Sequence, residues 1–466
     1  MKFSKNAKRC FASSVAVSLL LAGGSILTVT GACAKSQEQL ADDTLLVVLA
    51  PHADRTTAQA HLLNEAQANT IEDLHVNGED YSILHVQPPK GQREATRNNI
   101  LGMMKNHPEI KSVSRNVMVH RFFNHHWPPP PPPPPKPPSP PPPPPPVGSG
   151  VDPDLSQQWP LAAMRWTAAQ SQYSGQQKQS ATITLLSTGV NPVATDNELG
   201  AYITQYNCTK TPIKTEALRG YSAEGDIDAS ITGALTNNGE LIAGSGCFAK
   251  ATPCKITMLR ITSNDSASLS NIESAIVFAI NNQALRGGPG PVSLSFGMGF
   301  PDAPLWSSTY GLQPLAQTLV NQGDILVLSA GDSKGTYGIG TASYPPGAIV
   351  VAQGTDSNNN FYSSDPYSGS GLTLVLGDPV GAPGAVQPAI ISGAYADDYF
   401  GSSFSAPLWS SAIAMLISMN PNLTSAAAHQ ILLNTGTPIT GGYPSGSTWS
   451  AVVPAFDRAI QAAVGH

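Results

Sequence analysis

Histidine is scarce over most of this chain. Of ten histidines, eight lie before residue 127, and only His429 and His466 follow. A serine nucleophile in the later part would therefore lack the imidazole that ordinarily takes its proton. Charge is also thin, at 12% of residues, against about a quarter in ordinary soluble domains. From Val151 onward there are 11 basic and 20 acidic residues. That acidic balance argues against nucleic acid as a partner. Cysteines number five. Cys10 and Cys33 fall near the N-terminus, and no histidine or further cysteine accompanies Cys247 and Cys254 in the way a metal site requires.

Three segments carry chemistry. The first is Gly401-Ser402-Ser403-Phe404-Ser405-Ala406-Pro407-Leu408-Trp409, followed by an apolar, helix-spaced run from Ala412 to Met419. A small-residue turn at a helix start presents Ser403 as a nucleophile. The bland alternative is an ordinary helix N-cap. The second segment, from Glu224 to Leu235, reads as a helix. Its Glu224 and Asp228 are four residues apart and share a face. Two carboxyls held close cannot both ionise easily, so one can accept a hydroxyl proton in acid. Asp226 falls on another face, where solvent exposure is expected. The alternative for the pair is a solvated charged face. The third segment is a buried strand, Ile325 to Leu328, that runs into Ser329-Ala330-Gly331-Asp332-Ser333. A protonated Asp332 there would donate to a developing oxyanion, while its alternative role is that of a turn former.

In this order, the three segments resemble the sedolisin family of serine-carboxyl peptidases, which have a subtilisin-like fold. The resemblance covers roughly residues 180–435. It implies Ser403 as nucleophile, Glu224 as general base, Asp228 as its partner and Asp332 as oxyanion donor. Ser402 stands where threonine is usual. Val292-Ser293-Leu294-Ser295-Phe296-Gly297 resembles the substrate-strand motif, with Phe296 where tryptophan is frequent. Ser187 falls where a subtilisin carries its catalytic aspartate, so that triad lacks its aspartate as well as its histidine. The family's late calcium site is not expected, because no Asp or Glu lies between Asp398 and Asp457, and a hard cation wants carboxylates among its ligands. Neither a metal nor a cofactor is expected.

Upstream, residues 1–34 read as a secretory signal. Lys2, Lys5, Lys8 and Arg9 precede an apolar stretch from Val15 to Val29, and Ala32-Cys33-Ala34 offers a cleavage site. The stretch is too short and too early to require a membrane span. Thr30-Gly31-Ala32-Cys33 also resembles a lipobox, so a lipid anchor at Cys33 stays open beside plain cleavage and a secreted or periplasmic destination. Residues 43–123 read as a small α+β unit of order β-α-β-α-β. It resembles the inhibitory propeptide of subtilisins, and an unrelated binding domain is the alternative. Residues 124–150 form a linker. Within it, 128–146 is proline broken only by Lys136 and Ser139, a stiff spacer of about 60 Å at polyproline rise.

From 151 to 466 strands and helices alternate. The fold class expected is α/β, a subtilisin-like, mostly parallel sheet with helices on both faces. In an oxidising compartment Cys247 and Cys254 would pair as a disulfide, leaving Cys208 as a buried odd thiol. Two functions follow. One is an acid-active endopeptidase on protein or peptide substrates, restrained by its own propeptide. The other is a catalytically inactive subtilisin-fold protein that acts as a peptide- or protein-binding module.

Overall fold

The computed structural model describes residues 40–76, 82–121, 152, 155, 158–191, 202–220, 223–239, 242–248, 253–262, 266–295, 298–299, 312–329, 348–352, 374–376, 389–391, 394–396, 402–442 and 448–465. The signal segment, the proline run, Phe296, Gly297 and Asp332 lie outside these residues.

The chain begins with β1 (Leu40–Leu49), α1 (Arg55–Ala66), β2 (Asn69–His75), β3 (Ser82–Gln87), α2 (Arg93–Met103) and β4 (Ile110–Arg121). The observed order is β-α-β-β-α-β, with one strand more than the sequence suggests. That strand, β2, is an edge strand with Leu74 as its only buried residue, so no alternation of apolar residues announces it. Asp54 caps α1, accepting from the Thr56 amide at 2.9 Å.

The second part runs through α3 (Trp159–Ala163), α4 (Trp166–Tyr173), β5 (Thr182–Ser187), β6 (Ile203–Asn207), β7 (Lys214–Glu216), α5 (Ala223–Gly233), β8 (Lys255–Arg260), β9 (Ser266–Ser268) and α6 (Leu269–Asn281). It continues with β10 (Pro291–Leu294), β11 (Met298–Gly299), α7 (Leu312–Asn321), β12 (Ile325–Ser329), β13 (Ile349–Ala352), β14 (Leu374–Leu376), β15 (Ala389–Ile391) and β16 (Ala394–Ala396). It closes with α8 (Ser402–Met419), α9 (Ser425–Thr435), β17 (Thr437–Gly442), β18 (Thr448–Val453) and α10 (Phe456–Val464).

Ten strands form one sheet in the order β17-β18-β14-β13-β12-β10-β5-β8-β6-β7. Every pairing from β18 through β6 is parallel, and only the two edges are antiparallel. The central strands β5, β10 and β12 are almost continuously buried. That is the pattern of a sheet covered on both faces, and it matches the expected α/β class.

The N-terminal sheet is not self-contained. β4 pairs antiparallel with β9 and β11 of the second part. Asn116 Nδ2 on β4 donates to Ser270 Oγ on α6 at 3.0 Å. One face of the sheet, with Leu45, Val47 and Leu49, packs under α1 and α2 in a core of its own. The opposite face, with Leu46, Val48, Ile83 and Val117, joins the main buried cluster together with Ile272, Leu315 and Leu326.

The cysteine expectation requires correction. Cys247 and Cys254 are free thiols rather than a disulfide, as is Cys208. The Cys254 amide donates to Cys247 Sγ at 2.8 Å. Complete burial raises the Cys254 thiol well above its ordinary value and so keeps it protonated. Cys208 is buried, as expected.

Candidate active site

Two parallel strands and two helices converge on the candidate residues. Strand β5 ends at Ser187, and the chain turns through Thr188 and Gly189. Gly189 has a φ of 87°, a left-handed conformation that suits glycine. Helix α5 then docks against this turn backbone to backbone. A Cβ on Gly225 would collide with the Gly189 carbonyl. The Gly225 amide donates to Thr188 Oγ1 at 3.0 Å. The small residue in the first turn of α5 is thus what brings its carboxyls to the tip of β5.

Glu224, Asp226 and Asp228 are all 0% exposed. Glu224 and Asp228 are therefore buried helix residues rather than a solvated face. Asp228 Oδ2 accepts a hydrogen bond from Ser187 Oγ at 2.7 Å. Asp226 corrects the expectation of an exposed side chain. Its Oδ1 accepts from the Asn191 amide at 2.6 Å and its Oδ2 from Asn191 Nδ2 at 2.8 Å. Burial raises its pKa, with the Asn191 hydrogen bonds pulling the other way. Asp226 fastens α5 to the loop that follows β5.

Ser403 stands in the first turn of α8 and is buried. Helix α8 packs on α5, β5, β10 and β12. The elements that carry Ser403, Glu224 and Asp228 are thus neighbours in one packed layer. Asp332 lies outside the described residues, three positions beyond the end of β12. Ser293 and Ser295, from the expected substrate strand, are buried, with their hydroxyls 2.9 Å apart.

His429 sits on α9 against α8, where Trp409 Nε1 donates to its Nδ1 at 3.3 Å. Burial lowers its pKa to about 4, so it is a neutral packing partner of Trp409. The sequence reading of Ser187 as a substituted aspartate does not anticipate its bond to Asp228. The signal was present, because a hydroxyl at that strand end faces whatever the following helix puts there.

A family model described as the subtilase family matches residues 145–455. An extracellular protease of Xanthomonas campestris pv. campestris is 28% identical over 249 residues, covering 51% of this chain and 39% of the relative. The chain thus spans about two fifths of that relative's length. Among solved structures, fervidolysin from Fervidobacterium pennivorans, described as a keratinolytic enzyme related to subtilisin, is similar with a TM-score of 0.59 at 15% identity, over 91% of this chain and 61% of that one. A structure of proteases from Pseudoalteromonas arctica is similar with a TM-score of 0.46 at 19% identity, over 68% of this chain and 99% of that one. The ten-stranded, largely parallel sheet and the match across residues 145–455 agree, and the chain belongs to the subtilase family.

Proposed function

We propose that this chain is a secreted serine-carboxyl endopeptidase of the subtilase family that hydrolyses peptide bonds at acidic pH. The observation that carries the reading is the set of buried carboxyls on α5, next to α8, whose first turn holds Ser403. A subtilase whose one histidine within residues 145–455 is His429, packed against Trp409, needs another base, and burying carboxylates on a helix without a use for them is costly. Ser403 Oγ attacks the scissile carbonyl while Glu224 takes its proton. Asp228, held by Ser187, shares that proton with Glu224. Asp332 donates to the oxyanion, Glu224 returns the proton to the leaving amine as the C–N bond breaks, and water deprotonated by Glu224 then cleaves the acyl-Ser403 ester, with the proton returned to Ser403 Oγ.

The N-terminal sheet, residues 43–123, acts as an intramolecular inhibitor that is cut away near the proline run. Its β4 pairs with β11, which follows the Val292-to-Gly297 motif in sequence. Secretion is supported by the relative named as an extracellular protease. Among the described residues, no helix is long and apolar enough to cross a membrane.

The test is hydrolysis of an unfolded protein substrate from pH 3 to 8 by the processed chain, Ser403→Ala and Glu224→Gln. Cleavage is expected to be fastest near pH ~3–5, in the carboxyl range, and to vanish in both variants while their circular dichroism is unchanged. Full activity in folded Glu224→Gln would sink the carboxyl mechanism. No hydrolysis at any pH by the processed wild type would favour an inactive peptide-binding protein.

A further inference from the structure

The N-terminal sheet carries a second cluster of chemistry, on its helical layer and apart from the core it shares with the second part. His61 lies in the second turn of α1, and Glu65 is one helical turn further along the same face. His107 and Glu109 come from the turn that joins α2 to β4. That turn is fixed by its backbone: the His107 amide donates to Met103 O at 2.9 Å, and the Ala50 amide donates to Glu109 O at 2.8 Å. His61 Nδ1 is 2.8 Å and His107 Nδ1 3.1 Å from the same oxygen, Glu109 Oε1. His107 Nε2 reaches the Glu65 carboxylate at 3.1 Å. The two imidazole centroids are 4.1 Å apart. One ligand atom each from His61, His107 and Glu109 lies within 4.8 Å of the other two.

We propose that His61, His107 and Glu109 bind a divalent transition-metal ion, with Zn2+ the best fit, solvent in the fourth position and Glu65 orienting His107 through its far ring nitrogen, Nε2. Imidazole nitrogens with a carboxylate oxygen are the donor set such ions prefer over Mg2+ or Ca2+. Ligands about 2.0–2.2 Å from a tetrahedral ion lie about 3.3 Å from one another. The present separations of 2.8 and 3.1 Å therefore need only a small opening. Bound there, the ion joins α1 to the start of β4, two elements the chain brings together only on folding. It therefore stabilises the N-terminal sheet by mass action. The sequence gives no warning, because the ligands are 46 and 48 residues apart and match no spaced motif.

The test uses the full, unprocessed chain and Zn2+ alone, with Co2+ as a spectroscopic stand-in. At pH ~7 one equivalent of Zn2+ is expected to bind. Affinity falls at least ~10-fold in His61→Ala and in His107→Ala, and the site is lost in the double variant. Co2+ gives the visible absorption of a four-coordinate N/O site in the wild type alone. Diethylpyrocarbonate labelling read by mass spectrometry provides a measurement that needs no variant, with Zn2+ protecting His61 and His107. The proposal is overturned by the absence of saturable binding, by unchanged stoichiometry and affinity in the double variant, or by labelling of His61 and His107 that Zn2+ does not alter.

Discussion

Ser187 Oγ donates to Asp228 Oδ2 at 2.7 Å, with both residues 0% exposed. The end of β5 supplies a hydroxyl to a carboxylate on the neighbouring helix. The hydrogen bond fixes the Asp228 carboxyl at the tip of β5, and a buried hydrogen bond contributes about 0.5–1.5 kcal/mol.

Ser187→Ala removes that donor without touching Ser403 or Glu224. The expected outcome is a fall of about 10- to 100-fold in kcat with KM little changed, as for an interaction made chiefly in the transition state. Ser187→Thr, which keeps the hydroxyl, should restore much of the rate. Equal losses in the two variants would mean that Ser187 serves packing alone. Steady-state kinetics on a peptide substrate decides between them.

Gly225→Ala tests the backbone contact between α5 and the β5 turn. The added methyl meets the Gly189 carbonyl, which belongs to a turn with its own φ constraint and has little room to yield. A loss of about 1–3 kcal/mol or more is expected, as for overpacking in a core. Denaturant unfolding checks it, and a midpoint equal to wild type would contradict the close docking.

Arg286 and Asp324 form an ion pair at 2.8 Å with side chains only 1% and 0% exposed. Asp324 also accepts from the Gly290 amide at 2.8 Å and from Gln283 at 3.0 Å. Asp324→Ala strands the guanidinium, at an expected cost of about 3–5 kcal/mol. Replacing both partners with apolar residues should cost clearly less. A double variant as unstable as Asp324→Ala would refute this account, and urea denaturation measures the difference.

His85 on β3 lies between two carboxylates, at 2.7 Å from Glu72 and 3.6 Å from Glu273 on α6. Burial opposes its charge, but Glu273 and Glu72 outweigh burial and raise its pKa to about 9. Burial raises Glu273 to about 7, with His85 pulling the other way. Both groups hold protons more tightly in the folded protein than at their unfolded values of 6.5 and 4.5. Their stabilisation is therefore complete below those values and is lost as pH rises through about 7 and then about 9. Glu72 is lowered, because His85 and Thr211 outweigh its burial, so its part is lost instead on acidification. The melting temperature of the unprocessed chain should fall from pH ~6 to ~9. The fall should be shallower in Glu273→Gln. An identical slope in that variant would remove the triad from the explanation.

The fold class was legible because an apolar run such as Ile325 to Leu328 has no polar face to hide, and such a strand belongs inside a covered parallel sheet. The candidate residues were legible as types and spacings. Burial was not. Asp226 reads as a solvent-facing residue by helix phase, yet the Asn191 loop folds over it. Helix phase reports one element, whereas burial depends on what comes to rest against it from 35 residues away. Strand β2 was missed for a related reason, since an edge strand takes its partner from backbone groups and leaves little trace in side chains. The free thiols of Cys247 and Cys254 show the converse. Closeness in sequence suggested a covalent bond, and the local backbone used the sulfur as a hydrogen-bond acceptor instead.

The two faces of the N-terminal sheet bear on cooperativity. Leu46, Val48 and Val117 are buried in the same cluster as Leu315 and Leu326, so neither part keeps a complete interior without the other. An unprocessed chain should accordingly show one calorimetric transition whose van't Hoff and calorimetric enthalpies agree, rather than two separated steps. Once the chain is cut between the parts, the same shared interior becomes a bimolecular interface. The melting of the nicked complex should then shift with dilution, while that of the intact chain should not.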